Sequence, residues 1–163
     1  MKKITLYSMI LLSVFLLCGC EKVEQEGSYK KGTYSGAVTY ESYGKTYVTT
    51  ATIYVGKSGN IENCYIDSTY QTEDGIITTK KALGDDYQMK ETSAAIGVIP
   101  GGAEWYEQVE QIEKKVVEEQ NLNWVKWSDD AETKLDLDTI SGVTISADTY
   151  IEAVKQAMDQ AKK

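Results

Sequence analysis

The chain of 163 residues contains no histidine and no arginine; its 17 basic residues are all lysine, set against 25 aspartates and glutamates. Without histidine there is no Ser-His-Asp or Cys-His machinery, no imidazole base working near neutral pH, and no His-ligated zinc or haem. Cysteine is scarce as well: there are three, one of them inside an apolar N-terminus, which leaves no Cys₄ metal site. A net charge of −8 and a pI near 4.6 argue against a nucleic-acid binder, whose affinity comes from Lys and Arg on phosphates. What is left is an acidic chain long enough for one hydrophobic core and too short for two comfortable domains.

At the N-terminus, Lys2 and Lys3 precede an apolar run from Ile4 to Leu17, then Cys18-Gly19-Cys20 and an abrupt change to Glu21-Lys22. The run is about 14 residues long where a spanning helix takes ~20, so it reads as a secretory signal. Leu17-Cys18-Gly19-Cys20 resembles the bacterial lipobox, in which a small residue precedes the cysteine that is acylated after cleavage; an ordinary cleaved signal peptide is the plainer reading. The lipobox reading divides the chain into a signal peptide (residues 1–19), a lipid-anchored tether (20–30) and a globular body (31–163). Loss of Lys2 and Lys3 then takes the charge from −8 to −10. The expected location is the extracytoplasmic side of a cell membrane, held to the lipid bilayer by acyl chains on Cys20. Cys64 is left without a disulfide partner and reads as a core cysteine.

From Gly32 to Asp67 the composition is Thr, Tyr, Val and Ile with glycine punctuation, which predicts antiparallel strands over Thr33–Tyr40, Tyr47–Val55 and Ile61–Asp67. Turns are expected at Ser42-Tyr43-Gly44-Lys45 and at Gly56–Asn60. In the second strand Tyr47, Thr49, Ala51, Ile53 and Val55 alternate onto one face, the predicted core face. Residues 69–102 show no period and carry several glycines, a stretch more often functional than empty. Ala103–Gln120 reads as a helix, with Trp105, Val109, Ile112 and Val116 on its apolar side. Residues 121–137 read as a connector with a short strand near its end. A C-terminal helix is expected from about Ser146 or Asp148 to Lys162, its start capped by one of those two residues and Lys162-Lys163 suiting its negative end. The fold class that follows is α+β, an antiparallel sheet packed with a long central helix and a C-terminal helix.

Between the last two segments lies Asp138-Thr139-Ile140-Ser141-Gly142-Val143-Thr144. A glycine bend flanked by hydroxyl side chains, just ahead of a helix N-terminus, is receptive to a phosphate; it is also what a plain helix entry looks like. At these residues the sequence resembles the FMN-binding domain family of flavinylated extracytoplasmic proteins and of subunits of sodium-translocating NADH:quinone oxidoreductase. The family motif is Asp, two variable residues, Ser or Thr, Gly, Ala, then Thr or Ser. Asp138, Ser141, Gly142 and Thr144 match it, and Val143 stands where alanine is usual. The resemblance runs from about Tyr29 to the end; Lys31-Gly32-Thr33-Tyr34 is similar to the usual start of the domain, and Lys80–Met89 to a segment of the lipoprotein branch sometimes labelled a major membrane immunogen.

The resemblance implies that Thr144 carries covalent FMN through a phosphoester, attached by a FAD:protein FMN transferase. Ser141, Gly142 and Val143 would form the turn around the phosphate, with Asp138 organising the turn or aiding the transferase. Leu83 and Gly84 correspond to part of a family loop, and Tyr87, Met89 and Trp105 either lie against the flavin ring or are ordinary packing. The implied function is electron transfer between a membrane donor and an extracytoplasmic acceptor, with no side chain acting as catalytic acid or base and no metal ligand set. Two other readings stand beside it: a surface lipoprotein that keeps the fold without flavin, and an extracellular flavin-dependent reductase of a small acceptor.

Overall fold

The structure, a computed structural model, describes residues 26–163. The expected signal peptide, the lipobox-like segment with Cys20 and residues 21–25 of the expected tether lie outside the described residues. Four strands form an antiparallel meander in chain order: β1 (Gly32–Ser42), β2 (Lys45–Val55), β3 (Ile61–Gln71) and β4 (Ile77–Thr79). The β1–β2 hairpin closes on a two-residue turn in which Tyr43 and Gly44 both take positive φ, 51° and 72°. That geometry matches the twist of paired strands and fixes the register in which Tyr40 faces Tyr47 and Tyr34 faces Ile53.

Tyr47, Thr49, Ala51, Ile53 and Val55 are buried, as the alternation of β2 predicts. Facing Ala51 and Ile53 in register stand Ile66 and Cys64 of β3. This apolar face is covered by two helices, α3 (Trp105–Glu119) and α4 (Asp148–Ala161). Trp105, Val109, Ile112 and Val116 of α3, and Tyr150, Ile151, Val154, Ala157, Met158 and Ala161 of α4, supply the other half of the core. The molecule is thus an α+β fold: an antiparallel sheet with two helices packed on it.

Three expectations are amended. First, residues 27–30, assigned to the tether, belong to the body. Tyr29 is buried, its hydroxyl donates to the Gln120 carbonyl at 2.8 Å, and the Lys30 amide donates to the Ala161 carbonyl at 2.7 Å. A single tyrosine flanked by polar residues carries no period, which is why its docking is invisible in the sequence. Second, the stretch without period holds three short elements: β4, α1 (Lys80–Leu83) and α2 (Lys90–Ile96), with a 3₁₀ turn at Gly84–Tyr87 between the helices. None is long enough to repeat a hydrophobic pattern. Third, neither Ser146 nor Asp148 caps α4. The cap is Ala147, with no side-chain hydrogen bond, and its amide donates to the Thr133 carbonyl at 2.7 Å. Entry into α4 is set by the connector, where Trp127 bridges to Leu135 and Lys134 bridges to Ser146.

Candidate functional site

The Asp138–Thr144 segment is pinned from below by apolar anchors. Ile140, Val143 and Ile145 are all buried, while Ser141 is exposed and Thr144 half-buried. The β-branched side chain of Val143 therefore points into the core, and only its backbone borders the exposed face. Gly142 takes φ +78°, a conformation that L side chains resist, and a side chain added there would meet nothing closer than Gln111 Cγ at 4.0 Å. Glycine is required here by the backbone turn and leaves the face above it open.

Asp138 does not organise this turn. Its carboxylate lies in solvent, and the bonds run instead to Asp136: the Asp136 carbonyl accepts from the amides of Thr139 and Ile140 at 3.0 and 3.1 Å, and Asp136 Oδ1 accepts from the Asp138 amide at 2.8 Å. An aspartate bonding the amide two residues ahead is an Asx turn, a role that spacing alone does not distinguish from its neighbour's.

Thr144 is held by Gln108, a residue that belongs to no motif. Gln108 lies on α3 and is fully buried; its Oε1 accepts from the Thr144 amide at 2.8 Å and from Thr144 Oγ1 at 3.1 Å. Its Nε2 donates to the Ala103 carbonyl at 3.2 Å and lies 3.5 Å from Ser93 Oγ and 3.9 Å from Met89 Sδ. One side-chain amide thus ties the motif turn to the start of α3 and to the segment containing Met89. That segment is fixed in turn by Glu104, a buried carboxylate that accepts from the amides of Met89 and Lys90 at 2.9 and 3.1 Å. The Glu104 amide donates to the Glu107 carboxylate at 2.7 Å, the reciprocal half of a capping box. A Glu-x-x-Glu spacing at the start of α3 was the signal available in the sequence.

The remaining candidates belong to α1 and the 3₁₀ turn that follows it. Gly84, with φ +54°, closes α1 by donating to the Lys80 and Lys81 carbonyls, and Leu83 precedes it in that helix. Both shape the joint that carries Tyr87. The Tyr87 ring meets Trp105 edge-on at 6.5 Å, and Trp105 meets Tyr150 edge-on at 5.7 Å and donates from Nε1 to the Tyr150 hydroxyl at 3.0 Å. Trp105 is 1 % exposed, so it is core packing. Burial pushes the Tyr87 hydroxyl up to about 12 and the Tyr150 hydroxyl up as well, so neither ionises in the physiological range. The structure therefore brings Thr144 and Met89 together on Gln108, while Tyr87 packs against Trp105 and Tyr70.

Cys64 is buried and its thiol is pushed up to about 12, chiefly by desolvation, which leaves it without thiolate reactivity. Comparison of the chain with models of protein families, with curated proteins and with solved structures returns no match.

Proposed function

We propose that the protein is a membrane-anchored extracytoplasmic electron-transfer module that carries FMN through a phosphoester on Thr144. The observation that carries this reading is the half-buried Thr144 hydroxyl, held by Gln108 at the end of an Asp-x-x-Ser-Gly-x-Thr turn whose glycine face is open. These residues fit a phosphoester: Thr144 is only half-buried, a side chain added at Gly142 would meet nothing closer than 4.0 Å, and Val143 points inward. Gln108 positions Thr144 by accepting a hydrogen bond from its hydroxyl and, being a neutral amide, would not take up the proton. Attachment would form the Oγ–P bond as the pyrophosphate bond of FAD breaks, with AMP as leaving group and the hydroxyl proton passing to a group of the transferase.

A bonded cofactor also suits the composition. Exchangeable flavin phosphates are commonly gripped by bidentate arginine forks, and this chain has no arginine. When bound, the flavin supplies the electron chemistry; the protein supplies position and shelter from bulk solvent. With the body starting near Gly27, a tether from a lipidated Cys20 would span residues 21–26, a reach of at most ~20 Å, which keeps the module beside its membrane partners.

Incubating the purified body with FAD, magnesium and an FMN transferase should add the mass of one FMN, and in-gel flavin fluorescence should survive SDS denaturation. Thr144→Ala should abolish both signals. Wild-type protein that stays unmodified under conditions that flavinylate a control substrate would leave the lipoprotein reading without flavin.

A further inference from the structure

A second concave site shares no lining residue with the Thr144 turn, and its chemistry runs against that of the whole chain. A cleft of about 350 Å³ opens beside the β1–β2 hairpin, walled by Tyr40, Tyr47, Tyr70 and Tyr87, with Lys80 and Lys45 among its lining and no carboxylate. Two other clefts, one beside Cys64 and one beside Glu104, are each lined by four acidic residues, as expected of a protein with net charge −8. The tyrosine cleft is a local reversal of sign.

Its walls are built as two ring pairs. Tyr40 and Tyr47, cross-strand neighbours, stack at 5.5 Å and 27°; Tyr70 and Tyr87 meet edge-on at 5.2 Å. Lys80 Nζ sits 5.3 Å from the centroids of both Tyr87 and Trp105 and forms no hydrogen bond or ion pair with any described residue. The carboxylate that acts on it through space, Asp67, is committed elsewhere: its oxygens accept from the amides of Ser68 and Lys81 and from the Tyr65 hydroxyl. Among the described residues no buried side-chain nitrogen or oxygen lacks a partner, so the free ammonium of Lys80 reaches the open cleft that it lines. Partial burial lowers its pKa to about 8, the mark of a cation short of an acceptor.

We propose that this cleft binds a planar aromatic anion, its ring lying against the tyrosines and its oxyanion accepting from Lys80, with Lys45 adding positive charge. Flat rings stack on tyrosine faces, and an ammonium with three unused donors in a half-dry site gains most from a charged acceptor. The site is independent of the flavin reading, since its four rings and its ammonium need nothing on Thr144.

Calorimetric titration of the unflavinylated body with naphthoate tests it. Saturable binding is expected, weakened about tenfold or more in Lys80→Met, since a charge-assisted hydrogen bond is lost. Naphthalene-methanol, the uncharged analogue, should bind more weakly than naphthoate and be indifferent to that substitution. Cyclohexanecarboxylate, which has the charge without the flat ring, should also bind more weakly. Tyr70→Ala, at the cleft wall, is the second variant and should weaken naphthoate while leaving the circular-dichroism spectrum unchanged. Equal binding of naphthoate to wild type and Lys80→Met, or no preference over the uncharged analogue, would overturn the proposal. Repeating the titration on flavinylated protein should give unchanged binding, as a site independent of Thr144 requires; lost binding would overturn that independence and assign the cleft to the cofactor's own ring.

Discussion

A glutamine with no exposed surface, set on a helix stripe between Trp105 and Val109, has to find all its hydrogen bonds inside the protein. Gln108 finds them at the Ala103 carbonyl just before α3 and at Thr144, 36 residues on, and this makes it the residue on which the motif turn depends. Gln108→Leu keeps the volume and removes the bonds, leaving the Thr144 amide and the Ala103 carbonyl without those partners. A loss of about 1–3 kcal/mol is expected, read as a lower urea midpoint at unchanged slope. Gln108→Glu should cost more, because a carboxylate would face the Ala103 carbonyl that the amide now donates to. The same contrast in legibility runs through the site. Thr144, Gly142 and Ser141 were readable because their types and spacing serve a turn, whereas Gln108 matters through a partner 36 residues away that adjacency in sequence does not reveal. Asp138 carried the expectation that belongs in the fold to Asp136.

At the scale of elements, the sheet is short on neighbours, and its helices supply what is missing. On the β3 edge, Glu113 of α3 accepts from the Ile66 amide at 2.5 Å, and the side-chain amide of Gln120 both accepts from the Ile61 amide and donates to the Ile61 carbonyl. On the β1 edge, Gln156 of α4 accepts from the Ala37 amide and Gln160 donates to the Ser35 carbonyl. Unpaired strand edges invite association, and side chains that imitate a further strand blunt these edges. They work only if α4 lies close to β1, and Gly36 permits that approach. A Cβ at Gly36 would stand 2.1 Å from the Ala153 carbonyl oxygen and 2.7 Å from Gln156 Cβ. Gly36→Ala should therefore push β1 and α4 apart and cost about 2–3 kcal/mol in denaturant unfolding. Gly44→Ala, at φ +72° with open space around it, should cost only about 1 kcal/mol, from backbone strain alone. The long strands and both long helices were legible from their periods, and the short elements between β3 and α3 were not. Those short pieces are held by single polar contacts, such as Thr79 capping α1 and Glu104 receiving the start of α2.

For the molecule as a whole, the chain enters and leaves at one place. Tyr29 bridges to Lys162, the Lys30 amide bonds the Ala161 carbonyl, and Lys163 pairs with Glu26 at 3.0 Å. The exposed Lys163–Glu26 pair contributes little, whereas Tyr29 contributes through burial and its hydroxyl bond to Gln120. A body beginning at Lys31 should be less stable than one beginning at Glu26 by about 3 kcal/mol, measured by urea unfolding of the two purified chains. Equal stability would return residues 27–30 to the tether.

The sequence by itself determined the α+β class, the strand meander, the core face of β2, both long helices and the glycine turn ending in Thr144. Each of these rests on local periodicity or on backbone freedom, which adjacent residues specify. Only the tertiary structure decided that Gln108 holds Thr144, that Tyr29 closes the body, and that four tyrosines line one cleft with Lys80. Those arrangements join residues tens of positions apart, and their energy comes from burial and hydrogen bonding that exist once the sheet and helices have packed.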